Sequence, residues 1–137
     1  MYKICTSIEQ SKKLSEFLPL ESADMDYIPI INIDGEYSLE VNEWDNEHVI
    51  EDGWIPCWSL AALIDILPED IIGQRHYFFE ISKMGDASTP HEVRYYRFRD
   101  ESDGGDFGRI TWISHQANNL VDACVEMILK LHELKML

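Results

Sequence analysis

The chain has 137 residues, 45% of them hydrophobic and 27% charged, which fits one globular domain that buries a core without disulfides or metals. This composition excludes a disordered chain, a collagen-like repeat and a disulfide scaffold, and the apolar stretches fall far short of the roughly 20 residues of a membrane helix. The net charge of −15 is concentrated: residues 14–74 hold 15 acidic and no basic side chains, residues 1–13 sum to +2 and residues 75–137 to −2.

In chain order, Thr6 and Glu9 fit a capping box at the start of a first helix. Its apolar stripe is Ile8, Leu14, Phe17 and Leu18, and Pro19 ends it. The acidic ESADMD that follows reads as a linker. Residues 27–44 read as a β-hairpin turned at Asp34-Gly35. Ile31 and Ile33 are expected on one face of the first arm, with Tyr37, Leu39 and Val41 alternating on the second. Glu36, Glu40 and Asn42 then point the other way, giving a sheet with one wet face. Pro29 suits an edge or the start of a strand. Residues 43–53 read as an acidic connection.

Ser59 is the expected N-cap of a second helix, with Leu60, Leu63, Ile64 and Leu67 at helical spacing and Pro68 at its end. Ile71 and Ile72 are expected to pack in a last turn before Gly73. Three strands follow, QRHYFFEISK (74–83), EVRYYRFRD (92–100) and RITWIS (109–114), joined by turns at 84–90 and 101–108. Residues 118–137 give the final helix, capped by Asn119 and Asp122. Leu120, Cys124, Met127, Leu131 and Leu134 mark one face, which Val121, Val125 and Ile128 widen. The order predicts a single α+β domain with a mostly antiparallel sheet of about five strands and helices packed on one face.

Motifs for chemistry are absent. Cys5, Cys57 and Cys124 are odd in number and widely spaced, which fits free thiols in a reducing cytoplasm. No histidine of the five forms a zinc-binding pattern. His48 lies among Asp45, Glu47, Glu51 and Asp52, which reads as a solvated acidic loop. The run DESDGGD (100–106) fails the calcium-loop pattern because Ser102 and Gly104 stand where ligands are needed, and it reads as a hairpin turn. In VRYYRFR, alternation sets Val93, Tyr95, Arg97 and Arg99 on one face and Arg94, Tyr96 and Phe98 on the other. There is no P-loop, GxGxxG or GxSxG. No catalytic residue, metal ligand or cofactor is therefore assigned, and the start of the chain shows no apolar stretch suited to a signal peptide.

The charge distribution disfavours nucleic acid, whose phosphates need clustered Lys and Arg, and favours a basic protein partner. Trp44 and Trp54 stand inside the acidic stretch. Aromatics ringed by charge resemble a recognition patch, so Glu43, Trp44, Asp45, Glu47, Glu51, Asp52 and Trp54 are the candidate interaction residues.

The stretches IPCWSLAALIDILP (55–68) and NNLVDACVEMILKLHELKML (118–137), about a quarter of the chain, resemble small proteins of gut bacteria and their phages or mobile elements. The resemblance implies a mobile-element origin and transfers no catalytic residue.

The expectation is a cytoplasmic, non-enzymatic acidic interaction protein that binds a basic protein and no membrane, with its oligomeric state open. One alternative is a small enzyme or ligand-binding domain with a cleft between sheet and helices, for which His76 and His115 are the first candidates. Another is a structural or assembly component.

Overall fold

The computed structural model describes residues 3–41, 51–83, 88–105 and 107–137. The chain divides into two units, Met1–Ile66 and Leu67–Leu137. Its secondary structure is α+β and every strand pairing is antiparallel, as the element order implies.

In the first unit, helix α1 spans Ile8–Ser15. Its capping box is Ser7 with Gln10, one residue later than Thr6 with Glu9: Ser7 Oγ accepts from Gln10 N–H at 3.1 Å, and Gln10 Oε1 accepts from Ser7 N–H at 3.0 Å. Thr6 is occupied elsewhere. Its N–H donates to the Trp58 carbonyl at 2.9 Å, and its buried hydroxyl accepts from Trp58 N–H at 3.1 Å. Leu14 and Leu18 are buried, as the helical stripe requires.

A three-stranded sheet has β1 (Met25–Pro29) at its centre, flanked by β2 (Tyr37–Val41) and β3 (Ile55–Cys57). The hairpin is present, but its first arm begins earlier than the alternation indicates. Pro29 pairs with Tyr37 and Met25 with Val41, so Ile31 and Ile33 lie in the connecting loop. The supposed linker before it is structural. Ser22 Oγ accepts from the fully buried Trp58 indole at 2.9 Å, and both Asp24 carboxylate oxygens bind Ser59, through its N–H at 2.8 Å and through its hydroxyl. β3 pairs only as far as Tyr27, so the missing N–H of Pro29 interrupts no bond on that side. Ser59 caps helix α2 (Leu60–Ile66), accepting from Ala62 N–H at 3.2 Å.

The second unit is a four-stranded sheet in the order β4 (Asp70–Ile72), β5 (His76–Lys83), β6 (His91–Phe98), β7 (Arg109–Ala117). Ile71 and Ile72 belong to β4, not to a helical turn. The Gly73 N–H donates to the Arg75 carbonyl at 3.1 Å and turns the chain straight back into β5. The described residues thus form seven strands in two sheets where about five in one sheet were expected. The two additions, β3 and β4, have three residues each and are too short to show a period of two.

Helix α3 (Leu120–Glu133) packs on β6 and β7. Asn119 is its N-cap and accepts from Asp122 N–H at 2.9 Å. Val121, Cys124, Val125, Met127, Ile128 and Leu131 are buried on it, and Val93 and Tyr95 are fully buried on the sheet. The helix ends in a Schellman motif: Met136 N–H donates to the Leu131 carbonyl at 2.8 Å and Lys135 N–H to that of His132 at 3.0 Å, with Lys135 left-handed at φ 60°. Among the described residues, no helix is long and apolar enough to cross a membrane.

β7 carries a bulge. Tyr95 faces Ile113 but Tyr96 faces Thr111, so Trp112 is the extra residue. It stacks on Tyr77 at 4.6 Å. The insertion moves Thr111 and Arg109 to the face away from α3, the face of Arg94, Tyr96 and Phe98.

Candidate functional site

The loop between β1 and β2 makes two turns in succession. Ile33 N–H donates to the Ile30 carbonyl at 3.3 Å and Glu36 N–H to the Ile33 carbonyl at 3.4 Å. Each turn needs a left-handed residue, supplied by Asn32 (φ 68°) and Gly35 (φ 79°). Ile30 N–H donates to the Glu36 carbonyl at 3.0 Å and closes the loop, and Tyr27 meets Tyr37 edge-on at 6.3 Å below it.

This geometry aims apolar side chains at solvent. Ile31 is 85% exposed, Ile33 50% and Val41 66%, and Leu39 is also exposed. Asp34, Glu36 and Glu40 lie exposed among them, and residues 14–74 contain no basic residue to neutralise them. A solvated Ile forgoes about 1.5–3 kcal/mol of burial, so a cluster of them rimmed by acids is a mark of an interaction surface.

The predicted interaction residues fall partly beside this hairpin. Glu51 and Asp52 are exposed in a turn closed by the Trp54 N–H to the Glu51 carbonyl at 3.1 Å, with Gly53 at φ 85°. A Cβ on Gly53 would lie 3.5 Å from Pro29 Cγ, which places this turn against the base of the hairpin. Trp54 is half-buried. Glu43, Trp44, Asp45, Glu47 and His48 lie outside the described residues. The sequence reading missed Ile31, Ile33, Leu39 and Val41 as surface residues. The signal was available in Asn32 and Asp34-Gly35, two turn-forming sites three residues apart, which leave no room for a strand between them.

A second constellation covers the outer face of the four-stranded sheet. His76 stacks on Phe78 at 4.3 Å, Phe78 approaches Tyr96 at 5.9 Å and Phe98 at 5.7 Å, and Arg109 lies 4.7 Å above the Tyr96 ring. One Glu80 oxygen accepts from Arg94 at 2.9 and 3.2 Å and from Arg109 at 2.7 Å. Burial alone would raise the Glu80 pKa, but the two guanidinium groups outweigh it and hold the carboxyl below its usual range. An open groove of about 600 Å³ runs beside Phe78 and Phe98, lined also by Arg75, His76, Arg97 and Asp100. His76 Nε2 lies 2.9 Å from Asp70 Oδ2, and both side chains are partly exposed. Among the described residues, those lining the groove include no serine, threonine or cysteine.

His115 is on the opposite face, toward α3, so the two candidate histidines do not share a site. Its Nε2 is buried without a partner, and burial lowers its pKa, opposed by Glu126 and reinforced by Lys130. Burial likewise pushes the Cys124 thiol up to about 12. Two acids of the 100–106 run, Asp100 and Asp103, serve the turn. Asp103 takes both ends of the Arg97 guanidinium at 2.6 and 2.7 Å, and Asp100 binds Arg75 at 2.9 Å. The Arg97 pairing holds the Asp103 carboxyl far below its usual range. Among the described residues, no group of three potential ligands could hold a metal ion.

No family model, curated protein or solved structure compared with the chain matches it.

Proposed function

We propose that the chain is a non-enzymatic interaction protein that binds a basic protein partner through the acidic hairpin at residues 30–41 and the adjoining turn at 51–54. The observation that supports this reading most is the exposure of Ile31, Ile33 and Val41 in a stretch, residues 14–74, that has 15 acidic and no basic side chains. Such a surface suits a segment in which Lys or Arg alternates with apolar anchors. The isoleucines supply the desolvated centre of the contact and the acids its charged rim. The net charge of −15 steers a basic partner and repels nucleic acid. The stretches 55–68 and 118–137, expected to resemble proteins of mobile elements, form β3, α2 and α3, and that expectation adds nothing about the partner.

The test is capture of a partner from native lysate by three proteins: the parent, Ile31→Ser with Ile33→Ser, and Glu51→Lys with Asp52→Lys. A basic protein retained at low salt, released at high salt and lost with both variants supports the proposal. A partner that both variants keep, or that high salt does not release, places binding elsewhere. Absence of any partner opposes the proposal and shifts attention to the groove beside His76, to be screened with small anions and metals by thermal shift.

A further inference from the structure

Two of the three cysteines converge, although 51 residues lie between them in the sequence. Cys5 bridges to Ser59 in antiparallel fashion just beyond the end of β3, and Cys57 is the last residue of β3. Cys5 is therefore diagonal to Cys57 on the same face of the ladder. The two sulfurs share one polar cradle. The Cys57 thiol donates to the Thr6 carbonyl at 3.5 Å, Tyr27 Oη donates to that same oxygen at 2.7 Å, and Cys5 Sγ lies 3.6 Å from Tyr27 Oη. Cys5, Met25 and Cys57 form one packed cluster.

We propose that Cys5 and Cys57 form an oxidisable dithiol that hydrogen peroxide converts to an intramolecular disulfide, tying the N-terminal segment to β3. Cys5 is the attacking sulfur. It keeps a small opening to solvent while Cys57 has none. The Cys5 thiolate attacks one peroxide oxygen. An S–O bond forms, the O–O bond breaks, and the departing hydroxide takes a proton to become water. Cys57 then attacks the Cys5 sulfur of this sulfenic acid. The S–S bond forms, the S–O bond breaks, and the hydroxide leaves with the Cys57 proton as a second water. Two thiols are oxidised and one peroxide is reduced to two waters. Cys57 is fully buried, and it acts second. Cys124 lies inside α3 with its thiol raised by burial alone, and it stays reduced.

The experiment treats the folded full chain with hydrogen peroxide, blocks remaining thiols, and maps peptides by mass spectrometry before and after reduction. The expected product has lost two hydrogens, carries a peptide joining Cys5 to Cys57 and one blocked thiol at Cys124, and melts at a higher temperature than the reduced chain. Cys57→Ala should leave a sulfenic acid at Cys5 that a 1,3-dione probe traps, and Cys124→Ala should keep the cross-link. Conversion of Cys5 in the parent protein to sulfinic acid without a cross-link would overturn the proposal. So would a cross-link that includes Cys124, or recovery of all three thiols unchanged.

Discussion

Removing the Glu80 carboxylate tests the organisation of the outer sheet face. One of its oxygens takes three hydrogen bonds from two guanidinium groups, and the Glu80 and Arg94 side chains are 28% and 24% exposed. That pairing is shielded enough to exceed an ordinary surface ion pair, whereas Arg109 at 45% exposure contributes at the surface level. Glu80→Ala is therefore expected to cost about 1–2 kcal/mol, with about 1 kcal/mol from Arg94 and a few tenths from Arg109. Urea unfolding at neutral pH measures the total, and double-mutant cycles with Arg94→Ala and Arg109→Ala divide it. The pH dependence supplies a second readout. The Glu80 pKa is depressed by folding, so its stabilisation is complete above the unfolded carboxylate pKa and is lost as pH falls through the lower folded value. The stability gap between the parent and Glu80→Gln should close over that acidic range. A cost below about 0.3 kcal/mol, zero coupling to Arg94, or a gap that persists at low pH would refute this account.

Lys135 occupies the left-handed position of the Schellman motif, so Lys135→Gly should stabilise the chain by about 0.5–1 kcal/mol in thermal unfolding, the strain relieved exceeding the added chain entropy. Ser7→Ala should cost about 1 kcal/mol, whereas Glu9→Ala should be nearly neutral, because the cap is made by Ser7 and Gln10. His115 has a lowered pKa in the folded chain, so stability should fall as pH drops below the ordinary histidine value of about 6.5 and level off beneath the folded one. His115→Phe should flatten that stretch of the curve, as read by thermal melts across pH.

The long periodic elements were legible from residues alone. The Asn119 cap and the stripe of α3 from Leu120 to Leu131 appear as read, as does Ser59 before α2, while Leu134 is an exposed C-cap; the strands expected at 74–83, 92–100 and 109–114 appear at 76–83, 91–98 and 109–117. The errors have local physical causes. Thr6 and Ser7 are equally good caps in sequence, and only the pairing of Thr6 with Trp58 decides between them. Ile31 and Ile33 alternate like a strand, but the left-handed Asn32 between them breaks it. Asp24 and Asp26 looked like linker acids. Asp24 is bound to Ser59 just before β1, and Asp26 is buried within it. At the candidate site, Glu51, Asp52 and Trp54 were expected from charge and aromatic content, while the isoleucines were misplaced with the strand. On the outer face, alternation correctly grouped Arg94, Tyr96 and Phe98. The approach of His76 and Phe78 depends on strand register, and that of Arg109 on an insertion no short pattern announces.

That insertion has a consequence for self-association. β7 is the last strand of its sheet and, at nine residues, a long one, so a row of its main-chain donors and acceptors is turned away from β6. A regular edge of that length is a template on which a second chain can add and start an aggregate. The extra residue at Trp112 breaks the spacing of the row and sharpens its twist, so an incoming strand can follow it for only a few residues on either side. Deleting Trp112 would remove the indole from Tyr77 and straighten the edge together, and the shortened chain should be less stable and more prone to precipitate on concentration.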